Sequence, residues 1–129
     1  MESDVLVVDD SAAIRKILTR VLRQTGMAIQ TIHEAGDGQE ALTLMAQHRI
    51  DLVLSDINMP KMDGLQLLAS LKASSQWRNV PVVMITTEGG ETKVTEAVRL
   101  GAAGYVRKPF TADQIKEKLV GILEPAPRL

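Results

Sequence analysis

Five times along this chain a short apolar run gives way to a stretch of helical periodicity, and no other feature of the sequence restricts the fold as much. Val5 to Val8 reads as a strand buried on both faces. Ile14, Ile17, Leu18, Val21 and Leu22 follow at the i, i+3, i+4, i+7, i+8 spacing of one helix face, which stops at Gly26. Ile29 to Ala35 alternates as an edge strand, and Gly36-Asp37-Gly38 turns into a helix around Ala41, Leu42 and Met45. Leu52 to Leu54 is a third strand, and the loop INMPKMDG, with Pro60 and Gly64 as turn residues, leads to a helix carrying Leu65, Leu68 and Leu71. Val80 to Ile85 is a fourth strand, with Pro81 near its start, where a missing N–H is tolerated. The helix after it follows Gly89-Gly90 and has only Val94, Ala97 and Val98 as an apolar stripe, so it is expected to be the least firmly held. Ala103 to Val106 is the fifth strand; after Pro109 comes a helix with Thr111 as N-cap and Ile115, Leu119, Ile122 and Leu123 as its stripe, ended by Pro125 and Pro127.

Five such units with short connections demand an α/β fold: a doubly wound, five-stranded parallel sheet with five helices covering both faces. With 129 residues the chain is expected to be one domain, its core spanning about 4–124 and a short tail 125–129. At this size roughly two-thirds of the unfolded chain's surface is buried, so no disulfide is needed, and the chain has no cysteine. Trp77, Tyr105 and Phe110 are the only aromatics apart from two histidines, so the core is aliphatic, with six methionines read as filler. Fifteen basic against sixteen acidic residues leave a net charge of −1, which argues against direct nucleic-acid binding. An acidic N-terminus and a four-residue apolar run do not make a signal peptide, and no stretch approaches the roughly 20 apolar residues of a membrane span. Together with the lack of cysteine this predicts a cytoplasmic protein without membrane insertion.

Open parallel sheets bind ligands beyond the carboxyl ends of their strands, where strand order reverses. At those ends stand Asp9-Asp10-Ser11, Ser55-Asp56, Thr86-Thr87 and Lys108-Pro109. If the first and third strands are neighbours, Asp9, Asp10 and Asp56 converge. Two unit charges about 4 Å apart repel by about 4 kcal/mol at an effective dielectric near 20, so the three carboxylates either hold protons or bind a cation. All-oxygen donors at a mouth open to water suit Mg²⁺ or Mn²⁺ together with an oxyanion. Lys108 then supplies a point charge for a phosphoryl oxygen and Thr86 a hydroxyl. Any one of these residues alone is more simply a turn former or helix cap, and Asp10 and Ser11 remain cap candidates. Capping does not account for the joint pattern at four strand ends. His33 and His48 lie far apart in the chain without ligand spacing and read as surface or half-buried side chains.

The motifs VLVVDDS, LVLSDINMPKMDG, VVMITTE and GYVRKPF, in this order, resemble the receiver domain of two-component response regulators, close to the single-domain chemotaxis type. The resemblance covers residues 4 to 124 and implies a flavodoxin-like sheet of strand order 2-1-3-4-5. It further implies that Asp56 accepts a phosphoryl group from a partner histidine kinase. Mg²⁺ would then be held by Asp9, Asp10, Asp56 and the backbone carbonyl of Asn58, and the Lys108-Pro109 peptide would be cis. On phosphorylation Thr86 would move to the phosphoryl group and Tyr105 swing inward. That alters the face of the fourth helix, fifth strand and fifth helix, where a downstream protein docks. Asn58 and Glu88 hold the positions that tune dephosphorylation, here expected to be moderate to fast. Thr87 departs from the smaller residue many receivers carry. The protein is expected to be a monomer, with dimerisation on activation left open.

Three other functions compete. A haloacid-dehalogenase-like phosphohydrolase needs two Asp separated by one residue after the first strand, and Asp9 and Asp10 are adjacent. A flavin or nucleotide module needs a Gly- or hydroxyl-rich phosphate loop, which DDSAAIRK lacks. A phosphorylation-independent pseudo-receiver would not need Asp9, Asp10, Asp56, Thr86 and Lys108 together. A segment as short as EPAPRL after the last helix leaves no room for an output domain, so the signal is expected to leave by protein contact. The mixed charges Lys93, Arg99, Arg107, Lys116 and Lys118 beside Glu91, Glu96, Asp113 and Glu117 suit such docking, or simply a solvated face.

Overall fold

The structure, a computed structural model, describes residues 2–87 and 91–123, the side chain of Glu91 excepted. Glu88 and the tail 125–129 therefore lie outside the described residues. Strands β1 (Ser3–Val8), β2 (Ile29–Ala35), β3 (Leu52–Asp56), β4 (Val82–Thr86) and β5 (Gly104–Arg107) alternate with helices α1 (Ala12–Gln24), α2 (Gly38–Gln47), α3 (Gly64–Ala73), α4 (Glu91–Arg99) and α5 (Ala112–Leu119). All neighbouring strands pair in parallel, in the order β2-β1-β3-β4-β5. The doubly wound parallel sheet is what the alternation of apolar runs and helices predicts, and its strand order is the one the receiver resemblance implies.

The period of two along β1 divides the core into two layers. Val5 and Val7 point to one face and pack with Leu18, Leu22, Ile115 and Leu119 of α1 and α5. Leu6 and Val8 point to the other and pack with Ala41, Met45, Leu67, Leu68 and Leu71 of α2 and α3. Each fully buried Leu contributes about 1.5–3 kcal/mol of transfer free energy. Met27, Met45 and Met84 are buried filler, as expected from their residue type.

Helix starts follow the residues that precede them. Ser11, Asp37, Asp63 and Thr111 are N-caps whose side chains accept from the main-chain N–H three residues on, and Asp63 and Thr111 form capping boxes with Gln66 and Gln114.

Several sequence expectations need correction. Ile17 is 44% exposed and Val98 57%, because each lies at the margin of a stripe wider than the surface its helix buries. Helix α5 ends at Leu119 rather than running toward Pro125: Val120 turns extended, Gly121 takes a positive φ of 89°, and Ile122 and Leu123 reach the core from the following turn. Tyr105 is 37% exposed, which leaves it outward as the resemblance requires of a side chain that later swings in. His33 is half-buried and His48 exposed, as expected, and the two rings stack with centroids 4.2 Å apart, tying the end of α2 to the edge strand β2.

Candidate functional site

Strand order reverses at β1, whose two neighbours are β2 and β3, so the crevice beyond β1 and β3 is where this topology places a ligand. The register pairs Val8 with Ser55, so the next residues, Asp9 and Asp56, emerge side by side. With Asp10 they offer carboxylate oxygens that all lie within 4.8 Å of one another. Asp9 and Asp56 are buried, and Asp10 is exposed at the mouth.

Lys108 enters from the far edge. Its main-chain N–H donates to the Thr86 carbonyl at 2.7 Å, and the Lys108-Pro109 peptide is cis. The ammonium lies 3.0 Å from Oδ2 of Asp9 and 3.5 Å from Oδ1 of Asp56. Main-chain donors hold the carboxylates: Ser11 N–H to Oδ1 of Asp9, and Ile57 N–H to Oδ1 of Asp56, both at 2.9 Å. Burial pushes the Asp56 carboxyl above its ordinary value of 3.8. The Lys108 ammonium and the Ile57 N–H draw it down, while the Asp9 charge adds to the rise.

The donor set is suited to a hard divalent cation: three carboxylates on one small rim, one of them facing water. Lys108 alone offsets one of three charges, so a cation is the natural completion of the cluster.

The remaining predicted residues are placed as follows. Thr86 closes β4 and is buried, but its hydroxyl donates to the Thr87 carbonyl at 3.1 Å rather than to the carboxylates. Asn58 is exposed, and its side-chain oxygen accepts from Nζ of Lys93 on α4. Tyr105 lies outward, with Nζ of Lys118 5.6 Å from its ring centroid.

Three neighbours of the site were not placed there by the sequence, although Gly64 stood in it as a turn residue and Lys93 as a surface charge. Arg15 donates to the Asp9 carbonyl oxygen at 2.6 Å and pairs with Glu34 at 3.0 Å, so α1 holds the acidic loop from behind. Gly64 backs the end of β3, its N–H bonded to the Ile57 carbonyl at 2.8 Å. Lys93 is the third. A basic residue one helical turn after Ser11 and the glycine of MDG carried weak signals for the first two; Lys93 carried none.

The chain matches the response regulator receiver domain model over residues 5–120. It is 40% identical to chemotaxis protein CheY-3 of Vibrio cholerae serotype O1 over 120 residues, 93% of this chain and 91% of that protein. It is 38% identical to chemotaxis protein CheY of Pseudomonas aeruginosa, over 93% of this chain and 95% of that one. Among solved structures, CheY4 of Vibrio cholerae superposes with a TM-score of 0.83 at 33% identity, covering 95% of this chain and all of the other. The fold and acidic rim thus define a phosphoacceptor signalling protein rather than an enzyme of continuous turnover. The chain belongs to the response regulator receiver family, and it is CheY-like.

Family membership implies a histidine kinase as partner, and the acidic triad is of the kind that holds Mg²⁺ in receivers. No helix among the described residues is long and apolar enough to cross a membrane.

Proposed function

We propose that Asp56 takes a phosphoryl group, in the cytoplasm, from the phosphohistidine of a partner histidine kinase and that the modified protein signals through the face formed by α4, β5 and α5. The observation that carries this reading is the convergence of Asp9, Asp10 and Asp56 with Lys108 at the switch point of the sheet. In the transfer a carboxylate oxygen of Asp56 forms the new bond to phosphorus while the P–N bond of the donor breaks. Its electron pair stays on the imidazole nitrogen, which takes a proton from solvent. A carboxylate ionised at neutral pH needs no general base, so positioning and charge neutralisation supply most of the rate. Lys108 stabilises oxygens of the moving phosphoryl group, as a preorganised charge does at developing negative charge.

Asp9, Asp10, Asp56 and the Asn58 carbonyl would hold Mg²⁺, with Mn²⁺ as a substitute, and the bound metal would screen the phosphoryl oxygens from the carboxylates. Thr86 would exchange its bond to the Thr87 carbonyl for one to a phosphoryl oxygen. Tyr105, outward and flanked by a hollow of about 250 Å³ lined by Val94, Thr95 and Arg107, has space to turn toward the vacated position. A cleft of about 330 Å³ on its other side, lined by Pro109, Gln114, Glu117 and Lys118 among others, offers a downstream protein mixed charge. Asn58 and Glu88 would set the lifetime of the aspartyl phosphate. Similarity to chemotaxis proteins over nearly the whole chain supports a chemotaxis-type output.

Incubation with Mg²⁺ and acetyl phosphate, followed by mass spectrometry, tests this reading. Modification at Asp56, lost without metal and in Asp56→Asn, is expected; no modification under any condition refutes it. An aspartyl phosphate that persists for many hours in Mg²⁺ contradicts the moderate-to-fast self-dephosphorylation expected with Asn58 and Glu88 at these positions.

A further inference from the structure

Lys93 occupies a place that helix physics disfavours. It is the third residue of α4 (Glu91–Arg99), and a cation in the first turn opposes the helix dipole, which favours anions there. Local conflicts of this kind gather at functional positions. Its ammonium reaches from α4 to the β3–α3 loop and donates to the side-chain oxygen of Asn58, two residues beyond Asp56. The two segments share one rim because β4 lies beside β3 with Ile85 opposite Asp56, so the chain leaving β4 enters α4 next to the acceptor.

Charge supplies the reason for a second cation. While Asp56 is free, the three carboxylates are balanced by one divalent ion and Lys108. An aspartyl phosphate replaces the single charge of Asp56 with about −2 on the phosphoryl group, which leaves the site one negative charge in excess. Arg15 is committed to the Asp9 carbonyl and to Glu34. Lys93, among the described residues, meets a neutral amide oxygen, a weaker partner for an ammonium than a phosphoryl oxygen.

We propose that Lys93 is a phosphoryl-binding residue, held on Asn58 while Asp56 is free and transferred to the phosphoryl oxygens once Asp56 is modified. This rests on the reading of Asp56 as the acceptor and adds that the first turn of α4 senses the modification directly, besides the path through Thr86 and Tyr105.

The test compares wild type, Lys93→Gln and Lys93→Arg. In the unmodified protein a cation near the metal site opposes Mg²⁺, so Lys93→Gln binds Mg²⁺ about threefold more tightly by calorimetry. In saturating Mg²⁺ the same variant binds beryllofluoride, a phosphoryl mimic, about threefold more weakly. Lys93→Arg keeps wild-type values for both, and raising the salt shrinks both differences. Opposite signs for the two ligands are what a merely structural Lys93 would not give. Unchanged affinities in Lys93→Gln, or changes of the same sign, overturn the proposal while leaving the acceptor reading intact if wild type is still labelled at Asp56. Failure of wild type to be labelled by acetyl phosphate overturns both.

Discussion

Gly64 is pressed against the main chain of Asp56: a Cβ at position 64 would collide with the Asp56 carbonyl oxygen and lie 2.8 Å from the Cα of Ile57. The start of α3 can approach β3 this closely only without a side chain at that position. Gly64→Ala must therefore push α3 away or bend β3. It is expected to lower stability by about 1–3 kcal/mol, as overpacking does, measured by urea unfolding. Labelling of Asp56 by acetyl phosphate should slow as well. A variant of wild-type stability would mean that the loop yields without cost.

Asp56 carries a pH signature. Burial, reinforced by the Asp9 charge, raises its folded-state pKa above 3.8 despite Lys108, so the fold holds this proton more firmly than the unfolded chain does. Stability from this group is fully present below the unfolded pKa and is lost as pH rises through the folded one. Asp56→Asn removes that loss. In EDTA the variant should be more stable than wild type at pH 7, with the gap closing toward about pH 4. Added Mg²⁺ should narrow the gap at pH 7 by stabilising wild type alone. A constant gap from pH 4 to 7 would contradict the shift.

Lys108 separates two carboxylates that otherwise face each other. Lys108→Met should bind Mg²⁺ more tightly, since a competing cation is gone, yet accept phosphoryl groups about 100-fold more slowly, the usual cost of losing one preorganised charge. Calorimetry and timed acetyl phosphate labelling measure the two effects. Parallel losses of both would assign Lys108 a purely structural role.

The His33–His48 stack makes stability sensitive to mild acid. Desolvation lowers the His33 pKa, and the His48 charge lowers it further, although Asp4 opposes both. A lowered histidine pKa contributes stability that is present above the unfolded value of 6.5 and is lost as pH falls through the folded one. His33→Gln should therefore show a flatter stability profile than wild type between about pH 7 and 5. Nuclear magnetic resonance titration of the His33 imidazole protons should place its midpoint below 6.5, and a midpoint above that value would refute the assignment.

Periodicity made the elements and their succession along the chain readable because four strands carry a short apolar run, the edge strand β2 alternates, and each helix shows a face. The acidic rim was readable for a related reason: strand ends are marked by the switch from apolar to polar residues, and Asp9, Asp56, Thr86 and Lys108 all fall on that switch. What resisted reading depends on distance in space. Nothing local to Lys93 announces Asn58, and nothing local to His48 announces His33, because both partners meet only after the sheet has brought separate connections together. The length of α5 was misjudged because Ile122 and Leu123 keep the helical spacing while Gly121 lets the chain turn beneath them. The exposure of Ile17 and Val98 was missed because spacing gives the direction of a stripe and not its width.

Asp9 and Lys108 are separated by 99 positions in the chain and by 3.0 Å in space. A ribosome must therefore deliver the last strand before the first loop acquires its counter-charge, and no fragment that lacks either Asp9 or Lys108 can assemble the rim. Completion of the rim thus coincides with completion of the fold, since a chain stopped short of β5 leaves Asp9 without its counter-charge.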